Sequence, residues 1–374
     1  MQLRFRQQVV TAGVSAVSLA LILGACSSSG SSSSAASGGS GSSAPAGGSS
    51  SSSGTSAKLS GTLNGSGSTF QLTFQQEAIA AFKQVQPNVT VNYGGGGSGK
   101  GRTDLAGGTV NFAGSDSPIP AKEASNFTGK TILYFPVIIG PITMAYNLSG
   151  VSNLKLDPTT IAGIFSGKIK TWNDPAIKAD NSGVTLPSTP ITLAVRSDSS
   201  GTTANFTLFL KDAVPSAWTL GSSSTIKWPS SARAASGNPG VAQVVKSTPG
   251  AIGYVDYATA KASGLSVASV KNKDGAFVAP SPASATAAAT SVTPKADLTF
   301  AAVWQGGAGA YPITYQSWDL VNAKQPNAND AAMLKAYLRY LLGPGQQLLT
   351  QIGLAPLPSS LDQQAVAQLS KITS

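Results

Sequence analysis

Apolar residues along this chain recur with two periods, and the two alternate. Ile191-Thr192-Leu193-Ala194-Val195 is a short β-branched run that predicts a buried strand, and Phe206, Phe209 and Leu210 follow it at helical spacing. An earlier helix is predicted by Phe74, Ala78, Ala81, Phe82 and Val85, and it stops before Pro87. Val89 to Tyr93 and Val110 to Phe112 read as strands. Ile132 to Ile139, interrupted by Pro136, reads as a central strand or a crossover between two lobes. Gly250 to Val255 predicts a buried strand with close backbone approaches at its glycines, and Met333, Leu334, Tyr337, Leu338 and Leu341 predict a strong final helix. Ala279 to Pro294, rich in Ala, Ser, Thr and Pro, reads as surface structure. Strands alternating with helices predict an α/β fold with a mostly parallel sheet. In such sheets ligands sit at the carboxyl ends of the strands.

The turns at those ends carry the candidate chemistry. Arg196-Ser197-Asp198-Ser199-Ser200-Gly201-Thr202 joins a strand to a helix, so its hydroxyls and free N–H groups sit beside the positive end of the helix dipole. Arg196 adds a planar fork of donors suited to an oxyanion. The same stretch also fits an N-capped helix with Arg196 paired to Asp198. Gly65-Ser66-Gly67-Ser68-Thr69-Phe70 is a second small-residue turn opening a helix, and Gly94 to Gly101 a third. Ala113-Gly114-Ser115-Asp116 ends a further strand at a carboxylate. The run Gly94 to Gly101 nearly matches a P-loop, but Gly101 stands where the magnesium-binding hydroxyl belongs. It is better read as a mobile loop that turns Ser98 toward an anion, or as a plain flexible loop.

Composition narrows the chemistry. The chain of 374 residues is long enough for two domains, and its formal charge of +10 suits an anionic ligand or surface. No Lys/Arg-dense run interleaved with aromatics points to nucleic acid. There is no histidine, which excludes Ser-His-Asp and Cys-His catalysis and His-ligated zinc, and the single cysteine excludes an internal disulfide. Asp116 is the odd member of the set Thr69, Ser98, Asp116, Arg196, Ser200, Gly201 and Thr202, because a carboxylate repels an anion. It makes sense if the ligand carries a proton. Hydrogen phosphate can donate to a carboxylate oxygen and sulfate at neutral pH cannot, so the unpaired acceptor discriminates between them.

The N-terminus predicts export. Arg4 and Arg6 precede the apolar stretch Val14 to Leu23, which ends in Leu23-Gly24-Ala25-Cys26. That ending resembles the bacterial lipobox, which implies a lipoprotein signal peptide at 1–25 and acylation of Cys26. From 26 to 57 the chain is almost wholly Ser, Gly, Ala, Pro and Thr and reads as a flexible tether. Such a tether reaches about 30 Å.

Taken with Gly167-Lys168-Ile169-Lys170-Thr171-Trp172, Lys227-Trp228-Pro229 and Gly250 to Val255, these motifs resemble the phosphate-binding proteins of bacterial phosphate ABC importers, from about Lys58 to the C-terminus. The resemblance implies a two-lobed type II periplasmic-binding-protein fold with its ligand in a cleft between lobes joined by two crossover strands. Lobe I would comprise 58–139 and 311–374, and lobe II 140–310. Thr69, the Phe70 N–H, Ser98, Arg196, Ser200, Gly201 and Thr202 would bind inorganic phosphate, Asp116 would accept its proton, and Asp198 would hold Arg196. It further implies a monomeric, lipid-anchored, extracytoplasmic receptor that serves the permease and ATPase subunits of an importer, with no cofactor, no metal and no catalysis. A receptor for sulfate or molybdate, or a phosphatase, is the alternative. Two positions depart from the family pattern: Lys100 lies in the glycine turn, and Gln71 replaces the Pro common after the Phe.

Overall fold

The computed structural model describes residues 59–374, so the expected signal peptide, tether and lipidated Cys26 lie outside the described residues. Its strands are β1 (Gly61–Gly67), β2 (Val89–Gly94), β3 (Phe112–Ser115), β4 (Ile132–Tyr146), β5 (Lys155–Leu156), β6 (Thr192–Arg196), β7 (Arg233–Ala235), β8 (Ala251–Asp256), β9 (Ser266–Val267), β10 (Ser269–Lys271), β11 (Phe277–Val278) and β12 (Thr314–Asn322). Its helices are α1 (Leu72–Val85), α2 (Ser98–Ala106), α3 (Pro158–Phe165), α4 (Pro175–Asp180), α5 (Gly201–Ala213), α6 (Gly237–Ser247), α7 (Tyr257–Ala262), α8 (Pro282–Ala289), α9 (Ala328–Leu342), α10 (Gln346–Gln351) and α11 (Ser359–Gln368). Polar residues start many of these helices. The Asp157, Asp174, Ser200, Asp256, Ser281 and Asn327 side chains each accept a backbone N–H of the first turn.

The main sheet runs β2-β1-β3-β12-β4-β8-β6-β7, with β9 beside β4, and β11-β10-β5 form a smaller sheet. β1 is parallel to both its neighbours, and so is β6. Between these groups run β12 and β4, antiparallel to each other and to their outer partners. The sheet is therefore mixed rather than mostly parallel. β4 carries the chain out of the first group into the second, and β12 lies against it in the opposite sense. Residues 132–141 of β4 pair with β12 and residues 142–146 with β8, so one strand belongs to both halves. Every residue of β4 after Ile132 is buried, as a strand covered on both faces requires.

The β12–β4 register shifts between Ser317 and Trp318, where Trp318 faces Pro136. Proline has no N–H for the ladder, and an irregularity is where a sheet tolerates one.

Three local expectations are corrected. Val85 is 60% exposed, because the buried face of α1 is Phe74, Gln75, Ala78 and Phe82 and the last turn projects beyond the core. Ala279 to Pro294 contains α8, whose Ala285 and Ala288 are fully buried; alanine is small enough to press a helix against the sheet. The glycine segment is not a mobile loop from Gly94 to Gly101, since α2 already begins at Ser98. Its glycines permit close packing: a Cβ on Gly101 would stand 2.6 Å from the Ser66 carbonyl oxygen.

Candidate functional site

Parallel strands place their carboxyl ends on one edge, and the turns leaving β1, β2 and β3 meet there. β1 ends at Gly67, whose φ of +131° and 2.2 Å approach of a hypothetical Cβ to the Gly114 carbonyl admit only glycine. The Ser68 hydroxyl next to it donates to Asp116 Oδ1 at 2.5 Å and accepts the Phe70 N–H at 3.1 Å. Ser98, the first residue of α2, accepts the Asp116 N–H at 3.1 Å and donates to Asp116 Oδ2 at 3.3 Å. From β12, at the register shift, the Ser317 hydroxyl donates to Asp116 Oδ1 at 2.6 Å.

The other half of the sheet supplies the cation. β6 delivers Arg196, whose Nε donates to Asp198 Oδ1 at 2.8 Å and whose Nη2 reaches Asp198 Oδ2. Its Nη1 donates to Asn238 Oδ1 at 3.1 Å and to Thr202 Oγ1 at 3.4 Å. The Gly237 N–H, at the start of α6, also binds Asp198 Oδ1 at 3.0 Å. Ser200 caps α5 through the Thr203 N–H, at 3.1 Å.

The two halves touch directly across this site. A Cβ on Gly201 would lie 2.3 Å from Ser98 Oγ and 2.6 Å from Asp116 Cβ, and one on Gly97 would lie 2.2 Å from Asp198 Oδ2. The Asn238 N–H donates to Thr69 Oγ1 at 3.1 Å, Asn205 Nδ2 to the Asp116 carbonyl at 2.7 Å, and the Gly99 N–H to the Ser199 carbonyl at 2.9 Å. Only glycine at positions 97 and 201 leaves room for the side chains of the opposite half. Asp116 is 1% and Arg196 5% exposed, so the site is shut away from solvent.

Burial pushes Asp116 above the usual carboxylate range, against the pull of Ser317, Ser68, Arg196 and Ser98. Burial also pushes on Asp198, but there the hydrogen bonds and charge of Arg196 win and hold it below its ordinary value. Two carboxylates thus face one guanidinium amid hydroxyls and N–H groups. Oriented dipoles and a guanidinium are groups that suit an anion, and a carboxylate among them is a group that could accept a proton from one. Among the described residues there is no group of three or more His, Cys, Asp or Glu that could hold a metal, and no helix long and apolar enough to cross a membrane.

The structure brings Thr69, Phe70, Ser98, Asp116, Arg196, Ser200, Gly201 and Thr202 to this closed seam, and their side chains or backbones are buried. The Phe70 N–H, expected to be free for an anion, is engaged by Ser68 Oγ. Lys100 is half-exposed and paired with Asp104 one helical turn on, so its charge is answered on the surface. Gln71 is fully buried; its Nε2 donates to Ser317 Oγ at 2.8 Å and to the Trp318 carbonyl at 3.0 Å. Ser68, Asn205, Asn238 and Ser317 join the site without any expectation from the sequence. The turn containing Ser68 was a signal, but nothing local marks the other three.

The sequence matches the PBP superfamily domain over residues 52–344. It is 37% identical over 309 residues to phosphate-binding protein PstS 3 of Mycobacterium leprae, covering 80% of this chain and 84% of that one. It is 34% identical over 315 residues to phosphate-binding protein PstS of Pasteurella multocida, covering 82% and 89%. The fold is similar to that of a high-affinity periplasmic phosphate-binding protein solved with phosphate at pH 8.5, with TM-score 0.69, 24% identity and 82% and 94% coverage. It is also similar to a phosphate-binding protein from Stenotrophomonas maltophilia, with TM-score 0.67, 21% identity and 83% and 94% coverage.

Proposed function

This chain belongs to the PstS family of phosphate-binding proteins within the PBP superfamily, and from that premise we propose that it is the extracytoplasmic phosphate receptor of an ABC importer. Its fold is the two-lobed α/β fold of type II periplasmic binding proteins. The lobes are 58–139 with 311–374, and 140–310, which fits the passage of β4 from one sheet partner to another at residues 141 and 142. Closure of the lobes strips phosphate of water and hands its oxygens to Thr69, Phe70, Ser98, Arg196, Ser200, Gly201 and Thr202. The Phe70 N–H leaves a 3.1 Å bond to Ser68 Oγ to do so.

The observation that carries this reading is Asp116, a buried carboxylate with one crowded and one available oxygen. Oδ1 already accepts two short hydroxyl bonds, at 2.5 and 2.6 Å, whereas Oδ2 has only Ser98 at 3.3 Å. Oδ2 therefore takes the phosphate proton, and an anion without a proton leaves it with only the long Ser98 bond. The protein binds and releases, with no covalent step, cofactor or metal. As a monomer it delivers phosphate to the permease and ATPase subunits of the importer, and the Cys26 lipid keeps it at the membrane, a role supported by the Leu23-Gly24-Ala25-Cys26 ending.

The test is a thermal melt of the ion-free protein with phosphate and, separately, sulfate at neutral pH. Ligand at a thousand times its Kd adds about 4 kcal/mol, so phosphate should raise Tm by several degrees. Sulfate should leave it in place. An equal shift with both would keep an anion receptor and remove the proton-reading role of Asp116; no shift with phosphate would remove the function.

A further inference from the structure

The buried tyrosines of this fold nearly all use their hydroxyls. Tyr311 donates to the Ile142 carbonyl at 3.0 Å, Tyr337 to Gln75 Oε1 at 2.6 Å, and Tyr146 to the Val151 carbonyl at 3.3 Å. Tyr254 meets Thr203 Oγ1 at 2.7 Å and accepts the Arg196 N–H at 3.1 Å, while Tyr134 accepts the Ile119 N–H at 3.1 Å. Tyr315, on β12, differs. It is fully buried, and its hydroxyl has no well-formed hydrogen bond, only a looser approach to the Thr202 side chain. Leaving a buried hydroxyl unmatched is unfavourable, and a phenylalanine would fill the same space without that penalty.

The place of Tyr315 gives the unmatched oxygen a meaning. Its ring stacks on Phe70, with centroids 4.0 Å apart and planes 22° from parallel. Gly140, its partner across the β12–β4 ladder, has no side chain and leaves room for the Phe70 ring, since a Cβ there would stand 3.1 Å from Phe70 Cζ. The hydroxyl end lies beside the Thr202 side chain, within reach of the charges of Asp256, Asp116 and Arg196. Tyr315 therefore spans the seam, held by Phe70 of one half and directed at Thr202 of the other. Burial and the two carboxylates push its ionisation upward, so it stays a neutral O–H.

We propose that Tyr315 is a further ligand of the bound oxyanion, its hydroxyl donating to the phosphate oxygen that Thr202 also contacts. The assignment rests on the reading of the seam as a phosphate site. It adds a donor without adding charge, in a site whose negative charge from Asp116 and Asp198 already faces the single cation Arg196. A hydroxyl fully matched only when the ion is present also strengthens closure on ligand relative to closure without it.

The test is Tyr315→Phe, compared with wild type by calorimetric titration of inorganic phosphate and by melting of both ion-free proteins. A lost hydrogen bond to a charged oxygen should raise the phosphate Kd about tenfold. The ion-free Tm should stay level or rise, because the variant removes an unmatched polar atom. A phosphate Kd within twofold of wild type overturns the assignment, and so does a lowered ion-free Tm, which would mark a structural hydroxyl. Wild-type protein that binds no phosphate removes the functional reading itself, and this assignment with it. Should the variant not fold, tyrosine difference absorbance of wild type during the phosphate titration decides: a shifted band supports the contact, and an unmoved band overturns it.

Discussion

Asp116 and Asp198 approach one buried seam from opposite halves of the sheet, and each carboxylate accepts three donors. Asp116 receives the hydroxyls of Ser68, Ser317 and Ser98; Asp198 receives two guanidinium N–H groups of Arg196 and the Gly237 N–H. Burial pushes both upward, yet Asp116 ends above its ordinary range and Asp198 below it. The number of hydrogen bonds is equal, so the difference lies in whether a full positive charge is among the donors. A carboxylate paired with Arg196 is a fixed anion that orients a cation. One whose side chain accepts only hydroxyls is readier to share a proton, and on the proposed reading that separates holding a ligand from identifying it.

The largest expected effect breaks that contrast at Asp116. Asp116→Asn keeps the shape and turns Oδ2 into a donor, which sulfate can use and the phosphate proton cannot. The preference for phosphate over sulfate, measured by competition in equilibrium dialysis, should fall at least a hundredfold, within the roughly 10⁴-fold available when a buried polar group is left unmatched. An unchanged preference would show that the proton is read elsewhere.

Much of this seam was legible because its devices are local. A β-branched run followed by Ser200-Gly201-Thr202 and helical spacing declares strand, cap and helix within a few residues, and α5 begins at Gly201 as that pattern requires. What was not legible depends on distant pairing. Ser317 meets Asp116 across 201 residues, Gln71 meets Ser317 across 246, and Asn238 meets Thr69 across 169. Neither period nor capping rules encode such partners. The mixed sheet escaped for the same reason, since the hydrophobic run of β4 is alike whichever strand lies beside it. Gln71 stood out only as a departure, and the structure gives it work: a proline there would have no amide to hold Ser317.

A smaller effect sharpens the contrast from the other side. Asp198→Asn removes the charge that fixes Arg196 but leaves Asp116 untouched, so it should weaken phosphate and any other oxyanion in the same proportion. Losing one charge-assisted hydrogen bond predicts about a tenfold rise in the phosphate Kd, with the phosphate-to-sulfate ratio unmoved. A changed ratio would mean that Arg196 orientation, and not Asp116 alone, sets selectivity.

Asp319 supplies the control, a carboxylate as buried as Asp116 but outside the proposed phosphate site. Both its oxygens accept Gln75 Nε2 at 3.3 Å, and Gln75 passes to Gln71 at 2.9 Å, Gln71 to Ser317 at 2.8 Å and Ser317 to Asp116 at 2.6 Å. Burial, only partly offset by Gln75 and Gln71, pushes its pKa up to about 7. An unfolded aspartate titrates at about 3.9, so folding favours the protonated form. That stability is complete below pH ~4 and is lost as pH rises toward 7. Asp319→Asn should therefore flatten the fall of Tm between about pH 4 and 7 and raise Tm above pH 7. Asp256, pushed by burial to about 6, would leave a smaller slope in place. The phosphate Kd should move less than twofold, because every bond in the chain to Asp116 has an amide or hydroxyl donor that neutralising Asp319 does not reverse. A tenfold change instead would mean that the chain transmits the charge of Asp319, and the contrast between Asp116 and Asp198 would then have to include a third carboxylate.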